Sequence, residues 1–216
     1  MRHSKVIFAL ALTVAALVTL NGCAGKVRYP SYYVLNVPPP PSTDDPPKAV
    51  LGSVAVREFS APRFLREGPI AYRPSAEQLD FYDYDRWAED PRRVVTDGVA
   101  RELRNRGLFE SVDTFDGRQS PVYLITGTLD HLEEVDHGSN VSIEVSMSAQ
   151  LTNLHTGEVL WRGTSTKTAA VDQRSVPGIV SKMSAELAGA VGSLVSSMQD
   201  RLSVAALQSN RSKADQ

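Results

Sequence analysis

Val141-Ser142-Ile143-Glu144-Val145-Ser146-Met147-Ser148-Ala149-Gln150-Leu151 alternates apolar and polar residues without a break over its whole length. A period of two puts every apolar side chain on one face of a strand and leaves the other face wet. This stretch decides the fold, because a half-buried strand needs neighbours and a layer to cover its dry face. On its C-terminal side His155-Thr156-Gly157 forms a turn, and Glu158 to Thr168 returns as a partner strand. On its N-terminal side Asp136-His137-Gly138-Ser139 joins it to the strand that begins with Val122-Tyr123-Leu124-Ile125 and runs to Leu129. The expectation is a three-stranded antiparallel meander.

The cover for its apolar face is written further along the chain. Ile179, Val180, Met183, Leu187, Val191, Leu194, Val195, Met198 and Leu202 form one continuous stripe at helical spacing. That predicts a helix from about Pro177 to about Leu202, with Ala185, Ala188, Gly189, Ala190 and Gly192 small enough for close approach. Residues 207–216 have nothing to bury and read as a disordered tail. A second helix is predicted to open at Pro91, carry Val94, Val95, Val99 and Leu103 on one face, and end at Arg106 with Gly107 as its cap. Shorter strand signals lie at Leu108–Phe115, Ala49–Val56 and Ser31–Val37, the last halted by Pro38-Pro39-Pro40-Pro41, a stiff connector without ladder donors. The fold class is α+β: one domain over residues 31–206, with a mostly antiparallel sheet of five or six strands and two main helices on one face.

The N-terminus has a different character. Arg2 and Lys5 precede an apolar run from Val6 to Leu20, too short for a membrane span and shaped like a signal peptide. It closes on Leu20-Asn21-Gly22-Cys23, which is similar to the bacterial lipobox. The resemblance implies that residues 1–22 are removed and that Cys23 is thioether-linked to diacylglycerol and then N-acylated. Residues 23–30 would be a lipidated tether, its seven residues from Ala24 to Pro30 spanning at most about 25 Å. Ala24, where an Asp would retain a lipoprotein in the inner membrane, favours the outer membrane of a Gram-negative cell, with the domain facing the periplasm. Without Arg2 and Lys5 the chain keeps 21 basic against 25 acidic residues, net −4, which gives no reason to expect nucleic acid. Cys23 is the sole cysteine, so an exported domain carrying lipid on it has no disulfide.

Between Ile70 and Pro91 the composition changes. Tyr72, Phe81, Tyr82, Tyr84 and Trp87 are crowded among Arg73, Arg86, Asp80, Asp83, Asp85 and Glu89. Aromatic rings with polar tips suit an interface or groove, and arginine can stack on them or pair with the carboxylates. The same residues could equally cover the edge of the sheet. Here the text of the sequence becomes specific. Ile70-Ala71-Tyr72-Arg73, Leu79-Asp80-Phe81-Tyr82 and Arg86-Trp87-Ala88-Glu89-Asp90-Pro91, with Tyr32-Tyr33-Val34-Leu35 before them, closely resemble the signature of the ABC-transport auxiliary lipoproteins of the PqiC (YmbA) type. The hairpin ending Thr156-Gly157-Glu158-Val159-Leu160-Trp161 and the terminal helix follow in the same order. Asp90 stands where a second proline is frequent.

That resemblance implies a non-catalytic lipoprotein that serves an MCE-type lipid-transport system with its ABC permease and ATPase. It would dock to the MCE-domain protein at the outer-membrane end, with Tyr72, Arg73, Tyr82, Arg86 and Trp87 as contact or scaffold residues. Ring-shaped MCE partners would suit a ring of copies of this chain, a homo-oligomer. A second reading is a lipoprotein that carries phospholipid in a cavity of its own. The residues offer no competing chemistry. No G-x-x-x-x-G-K-[ST] loop or G-x-S-x-G elbow is present. His131, His137 and His155 do not pair at ligand spacing, so no metal, cofactor or enzymatic activity is expected. Glu133, Glu134 and Asp136 read as solvated carboxylates near a hairpin end, and Asp83 and Asp85 as ion-pair partners for Arg86 and Arg73.

Overall fold

A computed structural model describes residues 28–38, 51–138, 140–172 and 174–214, with the backbone alone at 137 and from 205 onward. The signal segment, Cys23 and most of the proline connector lie outside the described residues. In chain order the elements are β1 (Ser31–Tyr33), β2 (Val54–Val56), a 3-10 turn (Arg63–Arg66), β3 (Pro69–Ser75), β4 (Gln78–Trp87), α1 (Pro91–Arg106), β5 (Val112–Thr114), β6 (Tyr123–His137), β7 (Asn140–Asn153), β8 (Val159–Ala170) and α2 (Val176–Ala214).

The alternating stretch sits in the middle of the meander, as its period demands. β7 pairs antiparallel with β6 along one edge and with β8 along the other. Val141, Ile143, Val145, Met147, Ala149 and Leu151 are all buried, and so are Ile179, Val180, Met183, Leu187, Val191, Leu194, Val195 and Met198 of α2. Strand face and helix stripe meet in one core cluster. Two glycines stand where any side chain would collide with a buried ring. A Cβ at Gly127 in β6 would stand 2.4 Å from the Phe59 ring, and one at Gly163 in β8 would stand 2.3 Å from the Trp161 ring. The Trp161 indole N–H donates to Ser197 Oγ of α2 at 3.1 Å, which pins the helix to the edge strand.

α1 is delimited by its own chemistry. Asp90 caps it by accepting the Arg92 N–H at 2.9 Å, and Gly107 closes it with φ 60° while its N–H reaches the Arg104 carbonyl. Asp90 therefore does more than tolerate the place of a second proline. Arg106 ties the helix to its neighbour, pairing with Glu102 and donating to Gln199 of α2 at 2.9 Å.

The sheet has eight strands rather than five or six, and it is mixed. Its long ladders are antiparallel and its short ones parallel, so the α+β class holds while the strand count does not. The added strands come from the aromatic segment. β3 and β4 form an antiparallel hairpin, with an irregular register between Pro69 and Ala71. The expected terminal strand Ser31–Val37 pairs with β4 only from Ser31 to Tyr33. Beyond Tyr33 the backbone turns to the helix layer: the Asn36 N–H donates to Ser184 Oγ of α2 at 3.1 Å, and Leu35 and Val37 are buried. Likewise only Val54–Val56 of Ala49–Val56 and Val112–Thr114 of Leu108–Phe115 join ladders, with Leu51 and Phe109 forming an isolated bridge. α2 continues to Ala214, so the backbone is helical through most of the stretch expected to be a disordered tail. Extending an existing helix by a residue costs far less than starting one.

β6 is the spine. β7 occupies one of its edges throughout, so both parallel partners share the other: β2 at Tyr123–Ile125 and β3 at Glu134–Val135. The register shift between Leu129 and His131 bends the strand between these two stations. The chain from β2 through the 3-10 turn to β3 runs alongside it, with Ser60 bridging to Thr128.

Candidate interaction site

The hairpin β3–β4 carries all five residues singled out in the sequence, and β6 supplies the groups that hold it. On the helix-facing side of the sheet, Tyr72 lies in register with Glu134. The Tyr72 and Tyr82 rings pack at a centroid distance of 5.1 Å, tilted by 51°. The Tyr82 hydroxyl donates to Glu134 Oε2 at 2.5 Å, and the Tyr72 hydroxyl donates to Asp80 Oδ2 at 3.1 Å. Burial pushes the Glu134 carboxyl up, against the opposing pull of the Tyr82 hydrogen bond. Tyr82 is itself pushed up by burial and by the adjacent carboxylate.

On the opposite side Arg73 grips Glu133 with two prongs, Nε to Oε1 at 2.9 Å and Nη2 to Oε2 at 3.2 Å. The Glu133 side chain is 0% exposed. His131 Nδ1 stands 3.1 Å from Glu133 Oε1, and Glu144 is directly opposite Glu133 across the β6–β7 ladder. Donor atoms of His131, Glu133 and Glu144 lie within 4.8 Å of one another, a spacing a metal could use. Arg73 already takes both oxygens of Glu133, however, so the group reads as an ion-paired anchor for the hairpin.

Trp87 is a core side chain, 6% exposed, and its indole N–H has no hydrogen-bond partner among the described residues. Arg86 is half-buried near Gly68. The structure thus brings Tyr72, Arg73 and Tyr82 together over β6, and sets Arg86 and Trp87 at the other end of β4. Two sequence readings need correcting. Glu133 and Glu134 are buried rather than solvated, because β6 does not end at Leu129 but carries them between β3 and β7. Arg73 pairs with Glu133, not with Asp83 or Asp85. These two glutamates were the residues missed, and the signal was faint: Leu132 and Val135 continue the strand only once the irregularity at Asp130 is allowed.

The open face of the meander is different in kind. Thr126, Thr128, Ser148, Gln150, Arg162 and Thr164 line a cleft of about 660 Å³ there. Hydroxyl, amide and guanidinium groups share its lining about equally with apolar surface from Gly127, Ala149 and Gly163 and from the methylenes of their neighbours.

A family model described as the ABC-type transport auxiliary lipoprotein component matches residues 33–195, from the end of β1 to deep within α2. The chain belongs to this family. It is a lipoprotein component auxiliary to ABC-type transport, and the family is not an enzyme family. Among solved structures this auxiliary lipoprotein is similar to protein XCC0632 from Xanthomonas campestris, at 20% identity and a TM-score of 0.64, over 76% of this chain and 92% of that one. A second, an uncharacterized protein, is similar at 14% identity and a TM-score of 0.58, over 77% and 96% of the two chains. At these identities the likeness extends to the fold. No curated protein matches the sequence.

Proposed function

We propose that this auxiliary lipoprotein is a non-catalytic, periplasm-facing subunit of an MCE-type ABC transport system for intermembrane phospholipid movement. It is held on the outer membrane through lipid on Cys23 and docks to the MCE-domain protein through the β3–β4 hairpin. The observation that carries the reading is the family match across residues 33–195, which takes in the hairpin and its Tyr-Arg and Arg-Trp-Ala-Glu blocks. The geometry divides the five residues by task. Arg73, Tyr82 and Trp87 fasten the hairpin to β6 and to the core, and Tyr72 and Arg86, part-exposed as Arg73 and Tyr82 also are, are the contacts proposed.

The test is co-purification of the tagged full-length lipoprotein, extracted from membranes in mild detergent, with an MCE-domain protein of the same cell. Wild type captures the partner, and Tyr72→Ala/Arg86→Ala loses it with native circular dichroism. Undiminished capture by the variant removes the hairpin as the docking element, and no capture by wild type removes the MCE reading. The alternative, a carrier with phospholipid in its own cavity, predicts lipid-bound species in native mass spectra. The cleft on the open face gives it little support, since it is open to solvent and only about half of its lining is apolar.

A further inference from the structure

Six large apolar side chains of the described residues are exposed, and four of them gather at one corner: Tyr29 at 81%, Tyr32 at 64%, Val34 at 61% and Tyr84 at 42%. Scattered singly they would need no account, but a cluster does. β1 pairs with β4 alone, and its register sets Tyr32 beside Arg86 and Tyr33 beside Trp87. Trp87 is in the core and Tyr33 packs against it, so Tyr32 occupies the face turned outward. The Arg28 guanidinium lies 5.7 Å from the centroid of the Tyr84 ring, linking the residues before β1 to the same surface.

We propose that this corner is seated on the phospholipid bilayer, with Tyr29, Tyr32 and Tyr84 at headgroup level. The inference rests on the reading that Cys23 carries the lipid anchor. Tyrosine is enriched where a membrane meets water, since its ring favours the apolar side and its hydroxyl the wet side. Chain length keeps this corner near the bilayer. Tyr29 follows Cys23 by six residue steps, a reach of at most about 22 Å even when fully extended. The cluster is thus the part of the domain closest along the chain to the acyl groups. Arg28, set against the Tyr84 ring, would meet anionic headgroups at the same level. Val34 adds apolar area without a charge to desolvate.

The experiment uses the full-length lipidated protein in phosphatidylethanolamine–phosphatidylglycerol vesicles, with flotation to establish anchoring. Tryptophan is placed by Tyr32→Trp, by Tyr29→Trp outside the ladder as a second position, and by Thr164→Trp on the cleft face as a control. The signal of Trp87 and Trp161 is subtracted with the unsubstituted protein. With lipid brominated at the acyl carbons nearest the headgroup, the tryptophans at 29 and 32 should lose much of their emission, and that at 164 almost none. Floating protein whose tryptophans at 29 and 32 emit as in water overturns the proposal while leaving the anchor intact. A blue shift without bromine quenching also overturns it, because it means the corner is covered by protein, a second copy or a partner. Failure of the unsubstituted protein to float removes the anchor reading, and this inference falls with it.

Discussion

Glu133 and Glu144 face each other across the β6–β7 ladder, an arrangement that like charges normally oppose. Arg73 makes it tolerable by placing one guanidinium on the buried member of the pair. A buried carboxylate stripped of such a partner keeps its desolvation cost and loses its compensation. Arg73→Ala should therefore destabilise the domain by about 3–5 kcal/mol. Replacing both members by apolar residues, Arg73→Met with Glu133→Leu, should recover most of that loss. Urea midpoints of the two variants check it, and a double variant no better than the single would show that the pair is not the cause.

At the level of elements, what could be read from the residues divides by the range of the interactions. α1, α2 and the meander announce themselves because their signals are local: a period, a helix-opening proline at Pro91, a glycine at Gly107 and a turn at Gly157. β3 and β4 do not. Pro69, Pro74 and a run of aspartates dilute the strand pattern, and what binds the hairpin is sequence-distant, Arg73 to Glu133 and Tyr82 to Glu134. The aromatic segment could thus be recognised as special without being recognised as sheet. The short parallel strands β2 and β5 escape definition for the same reason, since three residues carry too little pattern. The close crossing at Gly127 gives an element-scale test. A methyl there would meet the Phe59 ring at 2.4 Å and the Ser148 carbonyl oxygen at 2.7 Å, so β6 or its neighbours must shift. Gly127→Ala should cost about 1–3 kcal/mol in thermal or urea unfolding. An unchanged midpoint would mean that the crossing is looser than the structure has it.

For the whole molecule, the raised Glu134 carboxyl sets a pH dependence with a definite sign. The folded state keeps the proton at pH values where the unfolded chain, near the ordinary 4.5, has released it. The native state then binds more protons than the unfolded state, so stability from this group falls as pH rises through the folded value. Acidification from about pH 7 to about pH 5 should raise the melting temperature of wild type more than that of Glu134→Gln. Asp90, held below the usual range by Arg92 although burial opposes this, pulls the other way in both proteins and cancels in the comparison. Melting curves followed by circular dichroism decide it; parallel shifts in the two proteins would assign the dependence elsewhere.

The connectivity around β6 also orders assembly in time. β2 has as its partners only β5 and β6, both made some sixty or more residues later, whereas β6, β7 and β8 are joined by short turns. Long closures lose more chain entropy than short ones and come slowly. The meander is thus the natural seed, and β2 waits for it. Translation proceeds from the other end, so β2 emerges before its partners and is among the last to settle. On the proposal that Cys23 carries lipid, such a chain completes its sheet with one foot already fixed.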